Sequence, residues 1–191
     1  LNKKRKNNMK KYTPPVPRPT YFDKGFDVQT VHEFIQKYYP DFYHEDAVWT
    51  EEFRNGVYEA LIEEFYLYDD PEVMINTLIR DYSWEFTHEL WDNIQNFDGF
   101  VRQKLKEKEQ QWVKDNNIEP PFPVGAKVRL LSRFYSETMG VINKIYEYEP
   151  ARYCVLTAKQ EEYNKQMEQQ GKTERQGGYV VKFEDVELVE E

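Results

Sequence analysis

The sequence predicts an α+β protein, helical first and β-stranded second. Three observations carry this. Apolar residues recur at helical spacing from about residue 27 to 115. Pro120, Pro121 and Pro123 then interrupt the pattern. Short runs rich in β-branched and aromatic residues follow to the end. The expected organisation is a basic, Pro-rich N-terminal segment at 1–26, an acidic helical domain at 27–115, a Pro-rich linker at 116–123, and a β domain at 124–191.

Asp27 is the expected cap of a first helix carrying Val28, Val31, Phe34, Ile35 and Tyr38 on one face, ended by Pro40. Thr50 opens a second, with a stripe of Phe53, Val57, Leu61, Phe65 and Tyr68 and with Ala60 and Ile62 beside it. Asp70-Pro71 combines a cap with proline at the first helical position and starts a third, with Val73, Met74, Leu78 and Ile79. Ser83 is the expected cap of a fourth, which buries Leu90, Trp91 and Ile94. Asn96–Gly99 reads as a turn before a fifth helix bearing Val101, Leu105 and Trp112. Five strands are expected after the prolines: 127–131, 140–148, 152–156, 179–183 and 186–189. The polar stretch between the third and fourth is too long for a hairpin and suits a short helix over Ala158–Gln169.

Composition narrows the class. Aromatics make up 16% of the 191 residues, against a mean hydropathy of -0.91. That aromatic content argues against disorder. No apolar run approaches the roughly 18 residues of a spanning helix. Cys154 is the one cysteine, so an internal disulfide is excluded. Together these lead to the expectation of a cytoplasmic, reducing location without membrane contact.

The net charge of -9 is unevenly spread. Residues 1–20 carry seven Lys/Arg and no acid, whereas 21–100 carry 19 Asp/Glu against four Lys/Arg. Met9 is a candidate start, which would leave Lys3, Lys4, Arg5 and Lys6 outside the mature chain.

Within 123–189, "PVGAKVRLL", "GVINKIYEY", "RYCVL" and "YVVKFEDVELV" together resemble an SH3-like small barrel of the KOW/Tudor type. The resemblance implies a five-stranded β-barrel, here with a polar insertion. It also implies a binding role toward RNA, DNA, modified tails or other proteins, among which fold alone does not choose.

Reaction chemistry is sparse. Phosphate-cradling glycine loops and the G-x-S-x-G elbow are absent. Cys154 has no C-x-x-C partner and reads as a buried thiol. Glu85 and His88 form one E-x-x-H pair, a weak metal candidate, since a di-iron bundle needs two such pairs and two further carboxylates. No cofactor and no enzymatic activity are therefore expected.

The expected function is non-catalytic: protein interaction or regulation. An acidic face of Glu51, Glu52, Glu59, Glu63, Glu64, Asp69 and Asp70 would dock on a basic protein partner. A second surface on the barrel would use Arg129, Arg133, Tyr135, Lys144 and Tyr146. One alternative is a phage or mobile-element inhibitor whose carboxylates mimic nucleic acid. Another is a nucleic-acid-binding accessory protein acting through the barrel.

Overall fold

The computed structural model describes residues 9–39, 51–65, 70–131 and 138–189, and its fold is α+β. The chain divides into two compact units. One joins the described residues through Arg18 to those from Glu109 onward; the other is Pro19–Lys108.

The first unit is built on a six-stranded antiparallel open sheet: β1 (Met9–Lys11), β2 (Lys127–Leu130), β3 (Met139–Ile145), β4 (Arg152–Thr157), β5 (Tyr179–Lys182) and β6 (Val186–Val189), in the order β1-β6-β2-β3-β4-β5. One turn of 3-10 helix, Phe183–Asp185, joins β5 to β6. Five of these strands are those the sequence predicts, with ends shifted by up to three residues. β1 is the addition. Met-Lys-Lys has no strand pattern of its own, and it pairs with β6 through a backbone register, Met9 opposite Val189 and Lys11 opposite Glu187. Backbone pairing of this kind leaves no side-chain signature. α5 (Ala158–Gln169) occupies the insertion, opened by a capping box between Thr157 and Gln160.

Val128, Leu130, Ile142, Tyr153, Val155, Val181, Phe183 and Val186 form the core of this unit, joined by Trp112, Ile118 and Phe122. Phe122 lies in the predicted linker, yet its backbone N–H donates to the Tyr153 hydroxyl and its carbonyl accepts from it, each at 2.9 Å. The Pro-rich stretch is thus pinned to the sheet. Gly140 sits where β3 meets β4. A Cβ there would lie 2.6 Å from Val155 Cγ1 and 2.7 Å from the Leu156 carbonyl oxygen, closer than any side chain tolerates.

The N-terminal Pro-rich segment is fastened to the same unit by Arg18. Its guanidinium is nearly fully buried, at 4% side-chain exposure. It meets Glu184 bidentately at 2.6 and 3.1 Å, and Glu109 at 3.2 Å. It also donates to the carbonyls of Pro150 (3.1 Å) and Ala151 (2.9 Å), and it stands 4.8 Å over the Trp112 ring. Trp112 Nε1–H donates to the Val16 carbonyl, and Arg152 completes Glu109 from the other side at 2.8 Å. Burial opposes the charge on Arg18, but the hydrogen bonds and charges of Glu184 and Glu109 outweigh it and hold its pKa above the ordinary value. The same contest runs at Glu184. Burial alone would raise its pKa, and Arg18 overrides that and holds it below the usual carboxylate range.

The second unit contains α1 (Phe26–Tyr38), α2 (Glu51–Glu63), α3 (Pro71–Tyr82) and α4 (His88–Asp115) as far as Lys108. Its core is Phe26, Val31, Phe34, Ile35, Ala60, Leu61, Phe65, Met74, Ile75, Leu78, Leu90, Ile94, Phe97 and Val101. Phe34 and Phe97 meet edge-to-face at 4.8 Å, and Phe65 approaches Phe97 at 5.9 Å.

Several helix ends differ from the sequence reading. Gly25, at φ 78, caps α1 in place of Asp27, whose carboxylate instead accepts from Val28 N–H inside the first turn. Val28 and Val73, expected on buried faces, are largely exposed. Asp70 caps α3 as predicted, accepting from the N–H groups of Glu72 (3.0 Å) and Val73 (3.2 Å). Ser83 does not open a helix. At φ 58 it ends α3, and Trp84 N–H bonds back to the Leu78 carbonyl. Thr87 is the residue that caps α4, accepting from Leu90 N–H at 3.0 Å.

The turn expected at Asn96–Gly99 is absent, and α4 runs through it for 28 residues. Ile94, Phe97 and Val101 are spaced three and four apart and fully buried. An exposed helical glycine costs about 1 kcal/mol. Burying one such apolar side chain returns roughly 1.5–3 kcal/mol. The polar residues are accommodated on the helix surface, Asp98 by Arg102 at 2.7 Å and Asn96 by the Asp92 carbonyl at 2.7 Å. Thr50 and Tyr68 lie outside the described residues, as do the side chains of Phe53 and Val57.

Candidate functional site

The acidic face predicted from sequence is only partly gathered. Asp69 lies outside the described residues, and Glu51 and Glu52 stand in the first turn of α2 with side chains likewise outside them. Glu59 and Glu63 are exposed at successive turns of α2, with Glu64 just beyond its end. Tyr82, from the end of α3, donates its hydroxyl to Glu63 and lies 3.4 Å from Glu64. That hydrogen bond, followed by burial and the two negative charges, pushes the Tyr82 phenol well above its ordinary pKa. Asp70 is exposed but committed to capping α3.

A second group of carboxylates lies where the sequence reading expected the fourth helix to begin. Residues 81–101 contain five acids and no Lys or Arg. Asp81 pairs with Arg80, and Asp98 with Arg102. Glu85, Glu89 and Asp92 are exposed, and no base pairs with them among the described residues. They alternate along the chain with three large aromatics, Trp84, Phe86 and Trp91. Phe86 is 56% exposed with its ring 6.3 Å from that of Trp91, and Trp84 and Trp91 are half-buried against the core. This arrangement follows from the α3–α4 connection. Because Ser83 ends α3 and α4 starts only at His88, residues 83–87 run without helix, and Phe86 never acquires a buried helical face.

The same connection removes the geometric basis for Glu85 and His88 as paired ligands. Glu85 precedes the helix of which His88 is the first residue, so the two do not share a helix face, and both are exposed. Among the described residues, no three His, Cys, Asp or Glu side chains are grouped to hold a metal ion.

On the sheet unit, Arg129 is paired with Glu187, the residue opposite it on β6, at 2.6 Å. Lys144 is exposed near the end of β3, and Tyr146 follows the strand with its ring 5.5 Å from Tyr148, itself 70% exposed. Arg133 and Tyr135 lie outside the described residues. The structure therefore brings Lys144 and Tyr146 to one end of β3 and leaves Arg129 neutralised on β2. Cys154 is buried in β4, as expected.

Two features escaped the sequence reading. The Arg18 cluster joins residues 43 to 166 positions apart, so no local spacing marks it. The Phe86 group has a legible signal, three large aromatics within 84–91 in a stretch free of Lys and Arg, of which only Trp91 enters the sequence reading, as part of a buried helix face.

No protein-family model matches the chain, and no curated protein or solved structure is significantly similar to it. The class is set by its architecture: an α+β protein with one helical and one sheet-based unit, in whose described residues no helix is long and apolar enough to cross a membrane.

Proposed function

We propose that this is a non-catalytic protein-interaction or regulatory protein whose helical unit docks on a basic partner. One observation carries the reading. Pro19–Lys108 holds 20 Asp/Glu against eight Lys/Arg, and acids such as Glu59, Glu63, Glu85, Glu89 and Asp92 are turned to solvent. Complementary charge raises encounter rate and partner selectivity more than affinity. It also repels phosphate, which disfavours nucleic acid as the ligand of this unit.

The sheet unit is read as SH3-like. What supports this is the strand order β6-β2-β3-β4-β5, together with the single 3-10 turn before the last strand. In this reading it supplies a second contact surface through Lys144, Tyr146 and Tyr148.

The test is affinity capture by the intact chain, followed by elution in rising salt. The screening length shrinks from about 8 Å at physiological ionic strength to about 3 Å at 1 M. A basic protein released in that range supports the proposal. A partner without a basic surface, or one whose affinity is the same at physiological and 1 M salt, overturns it. A partner displaced by duplex DNA would replace general docking with nucleic-acid mimicry.

A further inference from the structure

We propose that Trp84, Phe86 and Trp91, rimmed by Glu85, Glu89 and Asp92, form the anchoring site on which an amphipathic Arg/Lys-bearing protein segment docks. This rests on the docking role proposed above and gives it a location and a partner chemistry.

Scattered exposed apolar residues are ordinary. A contiguous aromatic group beside a polar rim is the usual anatomy of a recognition patch, with buried aromatic anchors supplying most of the energy. Phe86 meets this description. Its ring is more than half exposed, it lies against Trp91, and the residue before it is Glu85. Glu89 and Asp92 are three apart on α4 and therefore face the same side.

Charge selects the occupant. With five acids and no Lys or Arg from 81 to 101, the net charge of the stretch disfavours a phosphate backbone or an acidic protein and favours a cation. A cation gains twice, from the carboxylates and from the aromatic face. The chain satisfies its own cations in this way. Lys104 lies 2.6 Å from Glu33 and 5.4 Å from the centre of the Phe100 ring. Arg18 is held by Glu109 and Glu184 over Trp112. The Phe86 group offers carboxylates and rings with no Lys or Arg placed over them among the described residues, His88 alone lying beside the Phe86 ring. Its apolar area asks for more than charge, so the segment must present apolar side chains beside its bases.

The experiment titrates the full chain with two short peptides of equal positive charge, one alternating Leu and Arg, the other Ser and Arg. Binding is read by calorimetry and by tryptophan fluorescence. Because Leu buries apolar surface that Ser does not, the Leu/Arg peptide is expected to bind about tenfold tighter than the Ser/Arg peptide. Phe86→Ala, an exposed position whose variant retains the core, is expected to abolish that difference. Glu89→Gln with Asp92→Asn is expected to weaken both peptides. Unchanged binding by Phe86→Ala overturns the inference. If wild type binds both peptides equally and only Glu59→Gln with Glu63→Gln weakens them, this site is wrong while the docking role stands. If neither peptide binds wild type, both fall.

Discussion

The two units dispose of their charges in opposite ways. In the sheet unit, Arg18, Glu109, Glu184 and Arg152 converge on one another in or near the interior and close their hydrogen bonds there. In the helical unit the interior is aromatic and aliphatic, and no described carboxylate is buried. A charge buried with its partner fixes geometry, because removing one member strands the other. A charge in water fixes little and remains available to something else. The contrast gives the first set structural duty and leaves the second open to the docking role proposed above.

The most severe way to break the contrast is Arg18→Ala, which leaves the buried Glu109 with Arg152 alone and the half-buried Glu184 without its partner. The expected loss is about 3–5 kcal/mol in urea unfolding, within the range for a broken buried ion pair. A loss below 1 kcal/mol would show that the cluster is no more than a surface pair. Next is Gly140→Ala, where the new Cβ meets β4. A loss of roughly 1–3 kcal/mol is expected from overpacking. Asp70→Ala removes the α3 cap and is expected to cost about 1 kcal/mol by thermal or urea unfolding.

Acid sharpens the same comparison. Arg18 lowers the folded-state pKa of Glu184. Its contribution is thus fully present above the ordinary carboxylate pKa and is lost as pH falls through the lower folded value. Glu184→Gln is expected to lower stability at neutral pH and to flatten its acid dependence, measured as the urea midpoint against pH. An unchanged slope would place the acid sensitivity elsewhere. The smallest effect belongs to the outward charges. Glu59→Gln is expected to stay within about 0.5 kcal/mol of wild type.

Much of the fold was legible because it is local. Asp70-Pro71, the 158–169 insertion helix and the five C-terminal strands are each signalled by residues a few positions apart. What misled was also local. Ser83 carries a residue type that suits a helix start, and its left-handed backbone instead ends one. Asn96–Gly99 has turn chemistry, but burial of Phe97 and Val101 outweighs it. Of the candidate site, the acidity was legible by counting, whereas the Phe86 group depended on where α4 begins.

By itself the sequence determined the α+β class, the acidity of the helical stretch and most element positions, because periodicity and composition act over a few residues. The tertiary structure alone decided that Met9–Lys11 adds a strand, that Arg18 closes on Glu184 from 166 residues away, and that Phe86 stays in water. Those outcomes turn on which surfaces meet, and backbone pairing and long-range desolvation leave no pattern in neighbouring residues.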